Sequence, residues 1–106
     1  MVQRYDPITP GAYLQHEFLE PLAITQNQLS RDIDVPVSRI NGIIAGTRAI
    51  TADTALRLAE YFGTSPEMWL NLQTQYELRI LTRQTWPAIQ RRIRHCAALE
   101  DNRPHA

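Results

Sequence analysis

The sequence predicts an all-α domain of five helices with a sixth, C-terminal helical extension. Three observations predict it. Apolar residues recur at spacings of three and four rather than two, capping residues and glycine or proline stops bracket these runs, and no strand-like alternation of useful length occurs. With 106 residues, 43% of them hydrophobic, the chain suits one domain with a single modest core.

The opening MVQRYDPITPG carries two prolines and a glycine without period, so residues 1–9 read as an extended arm. The first helix starts with Pro10 in its first turn. It carries Tyr13, Leu14, Phe18 and Leu19 inward and is expected to end at Pro21. Thr25 is a good N-cap, with Gln28 three residues on to form a capping box, for a short second helix that buries Leu29 and Ile33. Asp34-Val35-Pro36 then breaks the pattern, Asp34 being a residue that tolerates a left-handed turn. The third helix opens at Pro36 or Val37, turns Ile40, Ile43 and Ile44 to one side, and stops at Gly46.

Thr51 caps the fourth helix, whose stripe of Ala55, Leu58, Ala59 and Phe62 is stopped by Gly63. Ser65 followed by Pro66 starts the fifth, lined by Trp69, Leu72, Tyr76 and Ile80; Trp69 is expected in the core rather than on a ligand platform. A break is expected around Thr85-Trp86-Pro87, because a residue before proline is pushed out of helical geometry. Beyond it, Ile89, Ile93, Cys96 and Ala97 would share one side of a last helix, with Arg91, Arg94 and His95 on the other. The division is therefore an arm over 1–9, a domain over 10–83, and a helical extension with its tail over 84–106.

Composition narrows the function. No run approaches the roughly 18 apolar residues of a membrane helix and no signal pattern opens the chain, so a cytoplasmic protein without a membrane role is expected. The lone Cys96 makes no internal disulfide. His16, His95 and His105 are scattered without ligand spacing, so neither a metal nor a cofactor is expected. No local motif assembles a nucleophile, a base and an acid, which argues against an enzyme. The formal net charge of zero weighs against a nonspecific grip on nucleic acid, yet all 11 positive side chains are arginine, suited to phosphates and guanine edges.

The segment TQNQLSRDIDVPVSRINGIIAG answers for function. Two short helices across a tight turn form a helix-turn-helix, whose second helix enters the DNA major groove. Leu29, Ile33, Val35, Ile40 and Ile43 would lock the pair, Asp34 would make the turn, and Ser38, Arg39 and Asn41 would reach base edges. Gly42 costs about 1 kcal/mol against alanine in a helix; it either lets a backbone press against DNA or eases packing. Gln26 and Asn27 begin the second helix, where phosphate contacts are expected. Arg39 is the expected base reader, the alternative being a surface pair with Asp32 or Asp34. Val37 opens the recognition helix, and Thr47 and Arg48 follow it, where a loop can grip the backbone or simply turn; Ser38 and Asn41 read bases or phosphates, or are solvated helix residues.

The spacing of Gln26, Leu29, Ser30, Asp34, Val35, Ile40, Ile43 and Gly46 resembles the phage-repressor-like, Xre/Cro type of helix-turn-helix over residues 25–62. The run RAITADTALRLAEYFGTSPEMWLNLQTQYELRI, with PGAYLQHEFLEPLAITQNQLSRDI before it, is similar to the HigA group of antitoxins, also called virulence-associated protein I. Ser30 and Asp34 depart from the alanine and glycine often found at their positions. The resemblance implies a homodimer on double-stranded DNA at a palindromic operator, repression of its own operon, and neutralisation of a HigB-type mRNA-cleaving toxin by direct binding. A stand-alone Xre-family regulator and a protein-binding helical adaptor are the alternatives.

Overall fold

Caps and stops set most of the helix boundaries. The computed structural model describes residues 8–102, so most of the expected arm and the tail from Arg103 lie outside the described residues. Thr9, Thr25, Thr51 and Ser65 each turn a side-chain oxygen back to the backbone N–H three residues on. They thereby open α1 (Pro10–Leu14), α3 (Gln26–Asp32), α5 (Ala52–Phe62) and α6 (Pro66–Gln84). Pro36 precedes α4 (Val37–Ala45) with no side-chain cap. Among the described residues there is no strand.

The first helical run ends at Leu22, one residue past the expected stop at Pro21. From α1 the chain continues through a π-helical turn over Gln15–Leu19 into α2 (Glu20–Leu22), which carries Pro21 in its interior. The Glu20 N–H donates to Gln15 O, five residues back. This widened turn lies directly ahead of the proline, where the ring would otherwise press on the carbonyl of Glu17.

Ala23 is what stops the helix. It adopts φ 57°, and the N–H groups of Ala23 and Ile24 return to the carbonyls of Glu20 and Leu19. The same pair of closing bonds recurs at Asp34 (φ 59°), to Arg31 O and Ser30 O, and at Gly46 (φ 83°), to Ile43 and Gly42 O. Asp34 and Gly46 thus take the turn roles their chemistry suggests. Alanine has no side chain that stabilises a left-handed backbone. Ala23→Gly is therefore expected to stabilise the fold by about 0.5–1 kcal/mol, the relief of backbone strain exceeding the added freedom of the unfolded chain. Thermal unfolding followed by circular dichroism checks this; an unchanged or lowered Tm counts against strain at Ala23.

One cluster forms the core: Leu14 and Leu19 from the first helical run, Leu29 and Ile33 from α3 and its end, Ile40 and Ile43 from α4, Ala55, Leu58 and Ala59 from α5, and Trp69 from α6. Ile50 plugs it from the loop between α4 and α5. The Trp69 ring is fully buried beside Tyr13, Phe18 and Phe62, and its Nε1 donates to Thr64 Oγ1 at 2.8 Å. This agrees with a core role for the tryptophan.

Gly11 controls how α1 meets α4. A Cβ built on it would lie 1.9 Å from Ile43 O and 2.8 Å from Ile44 Cα, so the two backbones touch there without a side chain between them. Gly11 is the second residue of α1 and is buried.

The C-terminal extension is shorter than the apolar pattern predicts. The break at Thr85 is present and α7 follows (Trp86–Gln90), but it closes in turn bonds from Arg92 to Ile89 O and Ile93 to Gln90 O. Ile93 and Cys96 are exposed instead of lining a helix face, and a 3₁₀ stretch covers Ala97–Asn102. A short amphipathic segment gains little helix stability unless its apolar face packs.

Candidate nucleic-acid interface

α3 and α4 pack against each other across the Asp34 turn. Ile40 and Ile43 are buried, which rolls α4 so that its opposite side faces outward. Helical geometry centres that side on Ser38 and Asn41, flanked by Val37 and Ala45, and all four are exposed. The strip is polar in the middle and small or aliphatic at its ends.

Asn27 is exposed and Gln26 half-buried at the start of α3, beside the Thr25 cap. Thr47 and Arg48 are exposed beyond the C-terminal end of α4. Their direction follows from Gly42: its carbonyl accepts the Thr47 N–H at 2.9 Å, the Arg48 N–H at 3.1 Å and the Thr47 hydroxyl at 3.3 Å. The loop doubles back so closely that a Cβ on Gly42 would meet Arg48 Cβ at 3.1 Å. Of the two readings of Gly42, this close approach accounts for packing against the chain's own loop. Gln73 of α6 fixes the loop's far end by accepting the Ile50 N–H at 2.9 Å.

Arg39 does not share the outward strip. Its position turns it to the flank of α4 toward α5, where its side chain is 29% exposed. Its ionic partner is neither Asp32 nor Asp34, the two that sequence proximity suggests. Arg39 Nη1 donates instead to Asp53 Oδ2 at 2.7 Å, across 14 residues. The Asp32 carboxylate accepts the Tyr61 hydroxyl at 2.7 Å, and Asp34 offers its backbone carbonyl to Arg57.

Asp53 and Arg57 are the residues that sequence reasoning missed. The same Asp53 Oδ2 accepts Arg57 Nε at 3.0 Å, while Arg57 Nη1 reaches Ile33 O at 2.8 Å and Asp34 O at 3.0 Å. Arg57 thus ties α5 to the turn of the helix-turn-helix. Hydrogen bonds from Arg57 and then Arg39 hold the Asp53 carboxyl below the usual carboxylate range, so it is ionised at neutral pH. The i, i+4 spacing of Asp53 and Arg57 on a helix was a visible signal for their pairing. Nothing local signalled Arg39 as the third member.

Among the described residues no cluster of histidine, cysteine or carboxylates has the makings of a metal site, and no helix is long and apolar enough to cross a membrane. Comparison with known proteins bears on what remains. The helix-turn-helix family model matches residues 16–69. Virulence-associated protein I of Dichelobacter nodosus is 47% identical over 73 residues, which is 69% of this chain and 68% of that protein. An addiction-module antidote protein of the HigA family from Coxiella burnetii superposes with a TM-score of 0.79 at 39% identity, covering 87% of this chain and all of that one. The antitoxin HigA of Pseudomonas aeruginosa, solved with the higBA promoter, gives 0.79 at 38% identity over 83% of this chain and 96% of that one. With its turn, its outward-facing α4 and these relatives in agreement, the chain belongs to the helix-turn-helix family, among proteins named HigA antitoxin and virulence-associated protein I.

Proposed function

We propose that this protein is a homodimeric, sequence-specific DNA-binding antitoxin of the cytoplasm, which represses its own operon at a palindromic operator and neutralises a HigB-type mRNA-cleaving toxin by direct binding. The observation that carries the DNA-binding part is the outward strip of α4, exposed at Ser38, Asn41 and Ala45 and backed by buried Ile40 and Ile43. An α-helix fits the major groove, and short polar side chains such as Ser38 and Asn41 reach base edges there. Val37 supplies an apolar contact at the head of the helix. Gln26, Asn27, Thr47 and Arg48 bracket the strip on either side, where the sugar-phosphate backbone passes, and position the helix without reading sequence. Arg39 reads from the flank with the donors that Asp53 leaves it. A two-fold dimer sets two such helices roughly 34 Å apart, one DNA turn. The antitoxin part is supported by the names its relatives carry.

Selection of bound duplexes from random DNA tests the first part. A palindromic consensus is expected, with affinity that falls as salt rises. Arg39→Ala is expected to weaken binding to that consensus by about 1–3 kcal/mol and relax one base position, with the fold intact. Recovery of no consensus would sink the DNA-binding reading. For the second part, co-expression with the product of the adjacent gene is expected to rescue growth and yield a joint complex. Failure of both leaves a stand-alone regulator.

A further inference from the structure

Arg39 is an unusual base reader, because it arrives already engaged. Its Nη1 donates to Asp53, and the carboxylate it uses is itself anchored from the other side by Arg57 Nε, while Arg57 Nη1 grips the turn carbonyls of Ile33 and Asp34. The chain of contacts runs from the backbone of the turn, through Arg57 and Asp53, to the Arg39 guanidinium. Both ends of that chain are rigid: the turn is closed by its own backbone bonds, and α5 is packed through Ala55 and Leu58.

Energetics show what this arrangement is not for. Asp53 is well exposed, and ion pairs at such positions contribute little to stability. A carboxylate beside the face meant for DNA also repels phosphate, so it works against affinity. The place of Asp53 in the first turn of α5 favours that helix through its dipole, which accounts for a carboxylate there but not for its contact with Arg39 across 14 residues. A guanidinium carries five N–H donors in a fixed fork, so one engaged corner orients the others.

Resting on the DNA-binding reading above, we infer that Asp53, held in place by Arg57, is a positioning residue that aims Arg39 and thereby sets sequence selectivity rather than affinity. It touches no base itself. Its removal lets Arg39 swing toward the nearest phosphate, trading a directed contact for an undirected one.

The experiment compares Kd for the selected operator and for a scrambled duplex of equal length, using the full chain. For Asp53→Ala the scrambled duplex is expected to bind as well as before or better, because an anion has been removed. The operator-to-scrambled ratio is expected to fall about tenfold, the discrimination one directed arginine contact supplies. Charge removal alone raises both affinities together and leaves the ratio unchanged, which would overturn the inference. In an Arg39→Ala background, Asp53→Ala is expected to leave the ratio where Arg39→Ala put it; a further independent fall would equally overturn it. Asp53→Glu, which keeps the charge and lengthens the arm, is expected to recover part of the ratio. Circular dichroism of each variant confirms that the helices persist. A wild-type chain that distinguishes no duplex brings down the DNA-binding reading and this role with it, whereas a selective wild type whose ratio survives Asp53→Ala removes only the role of Asp53.

Discussion

Gly11→Ala is expected to destabilise the protein by about 3 kcal/mol or more, the upper end of what overpacking costs. The added Cβ would stand 1.9 Å from Ile43 O and 2.7 Å from Ile43 C. Those atoms belong to the backbone of α4, so no side-chain rotation relieves the clash and one helix must withdraw from the other. The residues it would draw with it, Leu14 on one side and Ile40 and Ile43 on the other, are all buried. Urea unfolding checks the loss: the midpoint should fall with the slope unchanged. Because the contact is with the back of α4, DNA binding should weaken in parallel with stability. A variant as stable as the parent would show that α1 does not approach α4 this closely.

Trp69→Ala is expected to cost about 3–5 kcal/mol, the range for deleting a large buried aromatic. The indole fills the space among Tyr13, Phe18 and Phe62, with ring centroids 5.1–6.3 Å away, and its loss would also leave Thr64 Oγ1 without its donor. Domains of this kind are stable by roughly 5–15 kcal/mol, so the substitution consumes a large share of the total. Thermal and urea unfolding measure it. A loss below about 1 kcal/mol, less than a single well-buried aliphatic side chain is worth, would contradict the placement of the ring.

Legibility in the sequence followed the range of the interaction. The caps at Thr25, Thr51 and Ser65 and the stops at Gly46 and Gly63 depend on atoms within five residues, and they stand where the sequence puts them. The end of the first run was legible to within one residue, but the π-helical turn that admits Pro21 was not, because a widened turn leaves no compositional mark. The last helix was over-extended for a related reason. Its period is real, but Ile93 and Cys96 meet no surface that rewards it.

For the interface, the outward position of Ser38 and Asn41 was legible, since the isoleucines behind them fix the roll of the helix. The engagement of Arg39 was not. Its partner comes from another helix, and the nearer carboxylates of Asp32 and Asp34, which proximity favours, sit elsewhere in the fold. Gly11 belongs in the same category: only the approach of a distant backbone explains it.

The split between the two sides of α4 has an evolutionary corollary. Ser38, Asn41 and Ala45 are exposed on one side of the helix, while Ile40 and Ile43 carry the packing on the other. On the DNA-binding reading proposed above, mutational drift at Ser38, Asn41 and Ala45 would change the address this scaffold answers to while leaving its folding untouched.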